Sequence, residues 1–285
     1  MVLLAWACAI VTGIIAITFL PFASGGHDPL AVPLAAMAWV LGRVGLLLVP
    51  VGALWLWVER MPAPAPSLAA PPAWLVRVTL GVCVLIAIVM VLVTFAASNS
   101  QLLTAITAVV ATLLIIRVRR SVRATRTPLL RFRSRTAAAM LVVAPIVVLA
   151  VQTIFIDTAT THARNRVIAN SAPLIEEIER YRIRRGTYPE SLFSIWGDYK
   201  PSIVGVERYH YERSGDGYNV IVREPSIDFG MRRFVAYNPL DRQRVTVHEQ
   251  DRLLLDEAGL DADNAGHTAI RVLPQPHWKL FMFLS

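Results

Sequence analysis

The stretch RVRRSVRATRTPLLRFRSR, residues 117–135, carries eight arginines and no acidic residue. They are Arg117, Arg119, Arg120, Arg123, Arg126, Arg131, Arg133 and Arg135, and apolar runs of membrane length lie on either side. A short loop this basic marks the cytoplasmic face of a membrane protein, where Lys and Arg are retained. The segment therefore orients the chain: the N-terminus lies inside, and residues 157–285 lie across the membrane.

Working outward, a helix needs about 20 apolar residues to cross the hydrocarbon core. Residues 2–20, 38–58, 74–96, 102–116 with a short extension, and 137–156 qualify, which predicts five transmembrane helices. The first run has no basic segment before it and is long for a signal peptide, so a retained helix is expected. The other loops agree with the orientation. Residues 21–30 and 97–101 hold no Lys or Arg, whereas 59–73 is flanked by Arg60 and Arg77. Trp39, Trp55, Trp57 and Trp74 fall near expected span ends, where amphipathic rings settle.

Charge follows the same division. Residues 1–156 hold eleven arginines against Asp28 and Glu59, and residues 157–285 hold seventeen basic against eighteen acidic residues. The basic excess thus belongs to membrane-flanking segments, and nucleic acid is not an expected partner. Arginine outnumbers lysine twenty-six to two, which suggests a high-GC bacterium and its inner membrane. Cys8 and Cys83 lie within spans, so the exported part must fold without a disulfide. Arg43 lies inside an apolar segment. Intramembrane charges often mark functional sites, and Arg43 is a possible site for an anionic group. The favoured reading is that 31–42 follows the interface and Arg43 snorkels to the headgroups. No acid inside the other spans is available to pair with it, which argues against a proton relay or ion pathway.

The exported part begins as a helix. Positions 167, 171, 174, 178 and 181 follow the three-four rhythm of one helical face, and Glu176 to Arg180 is a favourable i, i+4 pair. Pro173 predicts a kink, or a fresh start capped by Asn170 or Ser171. Gly186 and Tyr188-Pro189 end the helix. Alternating strand-like runs follow. Residues 206–213 and 218–224 flank the turn Ser214-Gly215-Asp216-Gly217; 232–238 and 244–250 suggest a second hairpin; 268–273 and 278–284 suggest edge strands. Trp278, Phe281 and Phe283 should complete the sheet, or else form a partner site. The expected class is a five-helix all-α membrane part plus an α+β exported domain, a long helix packed on an antiparallel sheet. The expected segments are a four-helix region at 1–136, a fifth span running on as a helix at 137–186, and a sheet head at 187–285.

Residues 168–195, IANSAPLIEEIERYRIRRGTYPESLFSI, resemble the pilins and pseudopilins. In that family a membrane helix runs on into an amphipathic helix with a packing tyrosine, then a Gly-x-Tyr-Pro turn, a short helical leucine segment and a sheet. The matching residues here are Tyr181, Gly186, Tyr188, Pro189 and Leu192. The resemblance implies a pilin-like head packed through these residues. The chain departs from the family because residues 134–140 contain no leader glycine and the span contains no glutamate. Processing and fibre assembly are therefore not expected.

Chemistry is sparse. His27, His162, His210, His248, His267 and His277 make no zinc spacing. The best metal candidate is GLDADNAGH, 259–267, where Asp261, Asp263 and Asn264 supply oxygens; it reads first as a polar turn, and the late calcium loop of some pseudopilins adds modest support. There is no Gly-x-Ser-x-Gly elbow, Walker loop or Gly-x-Gly-x-x-Gly fingerprint. Glu176/Glu177 and Asp256/Glu257 are sequence neighbours that do not share a helical face. Ser191 reads as a helix N-terminal residue. The expectation is a non-enzymatic inner-membrane protein without cofactor, whose exported head docks another envelope protein. The alternatives are a small transporter or channel component, or a sensor whose arginine loop binds anionic lipid.

Overall fold

A computed structural model describes residues 2–60, 73–98, 101–124, 131–195, 197–227, 231–243 and 269–284. The chain divides into two compact units, Met1–Thr18 with Pro33–Ile156, and Phe19–Val32 with Asp157–Ser285. The loop at 19–32 thus groups with residues 157–285.

The first unit is helical: α1 (Val2–Phe19), α2 (Ala31–Val44), α3 (Leu48–Arg60), α4 (Ala73–Ser98), α5 (Gln101–Ala124) and α6 (Arg131–Asn170). Some of these helices extend beyond the unit's bounds. Among the described residues four helical stretches are long and apolar enough to cross a membrane: Leu4–Phe22, Ala31–Val58, Arg77–Phe95 and Arg135–Arg185. The expected fifth corresponds to α5, whose apolar part there is the shorter Thr104–Leu113. The arginine segment is also less of a loop than expected. Residues up to Ala124 are helical, and helix resumes at Arg131. Arginine is among the better helix formers, so a run of it need not end a helix.

Packing in this unit rests on small residues. A side chain on Gly52 would meet the Ala138 carbonyl oxygen and Val142 at 2.8 Å, and one on Gly45 would touch Pro145 at 3.4 Å. Such residues let helix backbones approach where lipid gives no hydrophobic drive for association. Trp55, Leu75 and Ala138 form a buried cluster there. Pro50 lacks the N–H that would reach the carbonyl a turn earlier, and the chain tightens into a 3-10 turn at Gly45–Leu47 just before it. Thr18, Thr79 and Thr94 donate their hydroxyls to the carbonyls of Ile14, Leu75 and Met90, which satisfies them within their own helices. Trp39 and Trp55 are buried, whereas Trp57 and Trp74 are exposed.

The second unit pairs helix with sheet. Its helical part is the end of α6 from Asp157, followed by α7 (Ala172–Arg185). The predicted face holds: Val167, Ser171, Leu174 and Ile178 are buried, and Tyr181 is half-buried. The break falls at Ser171, but the anticipated caps are absent. Ser171 is itself helical and its hydroxyl donates back to the Ile168 carbonyl, while Asn170 Nδ2 donates to Pro201 O at 2.7 Å. Proline in the first turn of α7 suffices to restart the helix. Gly186, at φ 77°, closes it in the left-handed conformation glycine adopts freely.

The sheet is antiparallel, in the order β1-β2-β3-β5-β4, from β1 (His210–Ser214), β2 (Gly217–Arg223), β3 (Met231–Tyr237), β4 (Ala269–Val272) and β5 (Trp278–Leu284). The first hairpin is as expected, with Ser214 opposite Gly217. The second is not. β3 is flanked by β2 and β5, which leaves no free edge along Phe234–Tyr237 for residues 244–250. Those residues lie outside the described ones. β5 is interior rather than an edge. One face carries Val235, Trp278 and Leu280 packed with Ile168 and Ile175, and the other carries Ile221, Phe234, Phe281 and Phe283. With both faces apolar, β2 and β5 cannot show the alternation of half-exposed strands.

The loop at 19–32 forms part of this unit. Gly25 N donates to Ser202 O, Asp28 N to Val204 O, Val204 N to Ala23 O and Gly205 N to Pro21 O, at 2.8–3.1 Å. Gly205 is required there, because a Cβ would lie 2.7 Å from Pro225 Cβ and 2.8 Å from Pro21 Cβ. Pro21 and Phe22 are buried.

Candidate functional site

Of the residues expected to pack the head, Tyr188 lies in a cluster of tyrosines on the sheet. Tyr188 is buried, its ring 4.8 Å from that of Tyr218, and Tyr211 stacks on Tyr218 at 5.7 Å. Tyr209 donates its hydroxyl to Val167 O, and Tyr211 donates to Pro189 O. Burial pushes the Tyr209, Tyr211 and Tyr218 hydroxyls well above the ordinary phenol range. Burial thus favours the neutral phenol at these three positions. Leu192 is half-buried in a 3-10 turn opened by Ser191, which fits no nucleophilic role. Arg182 adds a cation over the Tyr188 ring at 4.7 Å.

A buried ion pair holds the helix to the sheet. Arg164 donates through Nε to Glu224 Oε1 and through Nη2 to Oε2 at 3.2 Å, with side chains 11% and 2% exposed. The fork of a guanidinium on a carboxylate fixes direction as well as distance. Nothing in the periodicity of either segment announced it, since the partners lie on different elements.

Other chemistry is thin. His277 Nδ1 lies 3.1 Å from Asp241 Oδ2, and both residues have left-handed backbone, φ 67° and 57°. Lys279 caps the Asp241 carbonyl at 2.8 Å. The pair closes a corner beside Tyr237. Both partners are about half-exposed. Among the described residues no three His, Cys, Asp or Glu side chains form a metal-holding group. Asp261, Asp263 and Asn264 lie outside the described residues, as do His248 and His267. Arg43 is exposed, its guanidinium 3.5 Å from the centre of the buried Trp39 ring. One buried polar group of the helical unit is Gln152, which donates to Thr18 Oγ1 and Ala38 O, both at 3.0 Å. The arginine segment is exposed at Arg119, Arg120 and Arg135.

Among the described residues β4 is an outer strand of the sheet. Leu273 N donates to Trp278 O, so on the antiparallel ladder Leu273 and Arg271 bond toward β5, while Ile270 and Val272 turn their N–H and C=O groups to the open side. Their side chains are 46% and 73% exposed. Trp278, Phe281 and Phe283 are buried, which makes them sheet core and removes them as a partner surface. Comparison of the chain with protein-family models, with curated proteins and with solved structures finds no match.

Proposed function

We propose that this chain is a non-enzymatic, multi-pass membrane protein whose exported head docks another envelope protein by adding a strand to the edge of β4. In this reading α5 is a fifth span and the arginine segment faces the cytoplasm. Residues 157–285, with the loop at 19–32, then face the periplasm of a bacterial inner-membrane protein. The head is pilin-like in its order of helix, Gly-x-Tyr-Pro turn and antiparallel sheet.

One observation carries the docking idea: an apolar, four-residue edge that offers backbone groups at Ile270 and Val272. Edges of this kind are managed by shortness and charge, as Arg271 does here, or are used for strand addition. The transporter alternative needs a polar path, and the N–H groups of Gln152 are already spent on Thr18 and Ala38.

The test places a photo-crosslinking side chain at Ile270 of the full chain in its native host, with Ile183 as an exposed control on α7. A discrete protein adduct at Ile270, lost when Val272→Pro removes the outward N–H, supports strand addition. An adduct indifferent to V272P, or equally strong from Ile183, overturns it.

A further inference from the structure

The helical unit contains a cavity of about 310 Å³ between α1, the α2–α3 segment and α6. Ile10 and Ile14 wall it on α1, Leu48 on α3 and Leu141 on α6, and Gly45 and Ala144 hollow it by withholding bulk. A space lined this way offers water no hydrogen-bond partners, and close-packed proteins leave few such voids unfilled. At roughly 30 Å³ per small group, the share of one liquid water, it has room for about ten chain carbons.

Its position decides the occupant. On α6 the lining runs from Met140 to Val148, toward the end of the helix that carries Arg135. The groove therefore lies in the half of the helix that leads to the arginine segment, with its eight cations and no acid. Juxtamembrane clusters of this kind attract anionic headgroups. We propose that the groove seats one acyl chain of an anionic phospholipid, with its headgroup held by Arg135 toward the near end of α6. The inference rests on the membrane reading of these helices and is independent of strand addition at β4.

The full chain is reconstituted in vesicles of phosphatidylglycerol and phosphatidylcholine, and insertion is scored first by resistance to carbonate extraction. Spin-labelled phosphatidylglycerol or phosphatidylcholine then reports motionally restricted lipid. The expected result is restriction favouring phosphatidylglycerol about fivefold, the effect of one arginine near a headgroup. Ala144→Phe should abolish that restricted component, and Arg135→Gln should reduce only the preference. Ala7→Leu repeats the filling test should A144F fail to insert. Equal restriction of the two lipids, or restriction untouched by both filling variants, overturns the proposal. So does loss of self-association in place of lipid, which would make a second copy the occupant. A chain that fails to insert removes the membrane reading itself.

Discussion

Gln152 and Arg164 sit on the same helix, α6, and both are polar groups largely withdrawn from solvent, yet their N–H groups find partners of different kinds. In the helical unit Gln152 is fully buried and neutral, donating to a hydroxyl and a backbone carbonyl on two other helices. In the sheet unit Arg164 is an ion, held by two hydrogen bonds on a carboxylate that is itself 2% exposed. The difference follows from the surroundings. A charge inside a bundle read as membrane-spanning is costly wherever it sits, whereas a folded head in water can close an ion pair over its own core. In neutral form the tie is loose and replaceable; in charged form it is directional and costly to break.

The sharpest way to break that contrast is to remove one ion. Arg164→Met leaves Glu224 buried without its cation and should destabilise the sheet unit by about 3–5 kcal/mol, while Arg164→Met with Glu224→Leu should recover most of that loss. Hydrogen exchange on β2 and β3 in the full chain measures both. Equal losses in the single and double variants would show that the pair is not the tie.

A steric test comes next. Gly205→Val forces atoms into Pro21 and Pro225 and should cost about 1–3 kcal/mol, as overpacking does. The damage should appear as faster proteolysis of the loop at 19–32. An unchanged cleavage rate would mean that the loop is not held through Gly205.

The smallest effect belongs to the neutral tie. Gln152→Leu removes two hydrogen bonds from the helical unit and should cost only ~0.6–1.7 kcal/mol, the range for side-chain bonds between membrane helices. Thermal unfolding in micelles reads it. A loss as large as that of R164M would erase the distinction between the two units.

Much of this was legible beforehand. The three-four face of Val167, Leu174 and Ile178, the Gly186 stop and the hairpin at Gly215 are local patterns, and each is in place. The misplaced features are non-local. Residues 232–238 read as half of a hairpin because their sequence neighbours look like strands. The partner that fills that side of β3 is β5, from the far end of the chain. The same blindness hid the Arg164–Glu224 tie and the His277–Asp241 corner.

By itself the sequence determined which segments are strongly apolar, where α7 ends and how the first hairpin turns. Each depends on side-chain period, glycine dihedral freedom or the proline ring, which act within a few residues. Tertiary structure alone decided that the loop at 19–32 belongs to the sheet unit, that β5 is interior and β4 the open edge, and that Gly42 lies against Gln152, where a Cβ would fall 2.2 Å from Oε1. These depend on which distant surfaces exclude one another's atoms and satisfy one another's polar groups, and no local period encodes that.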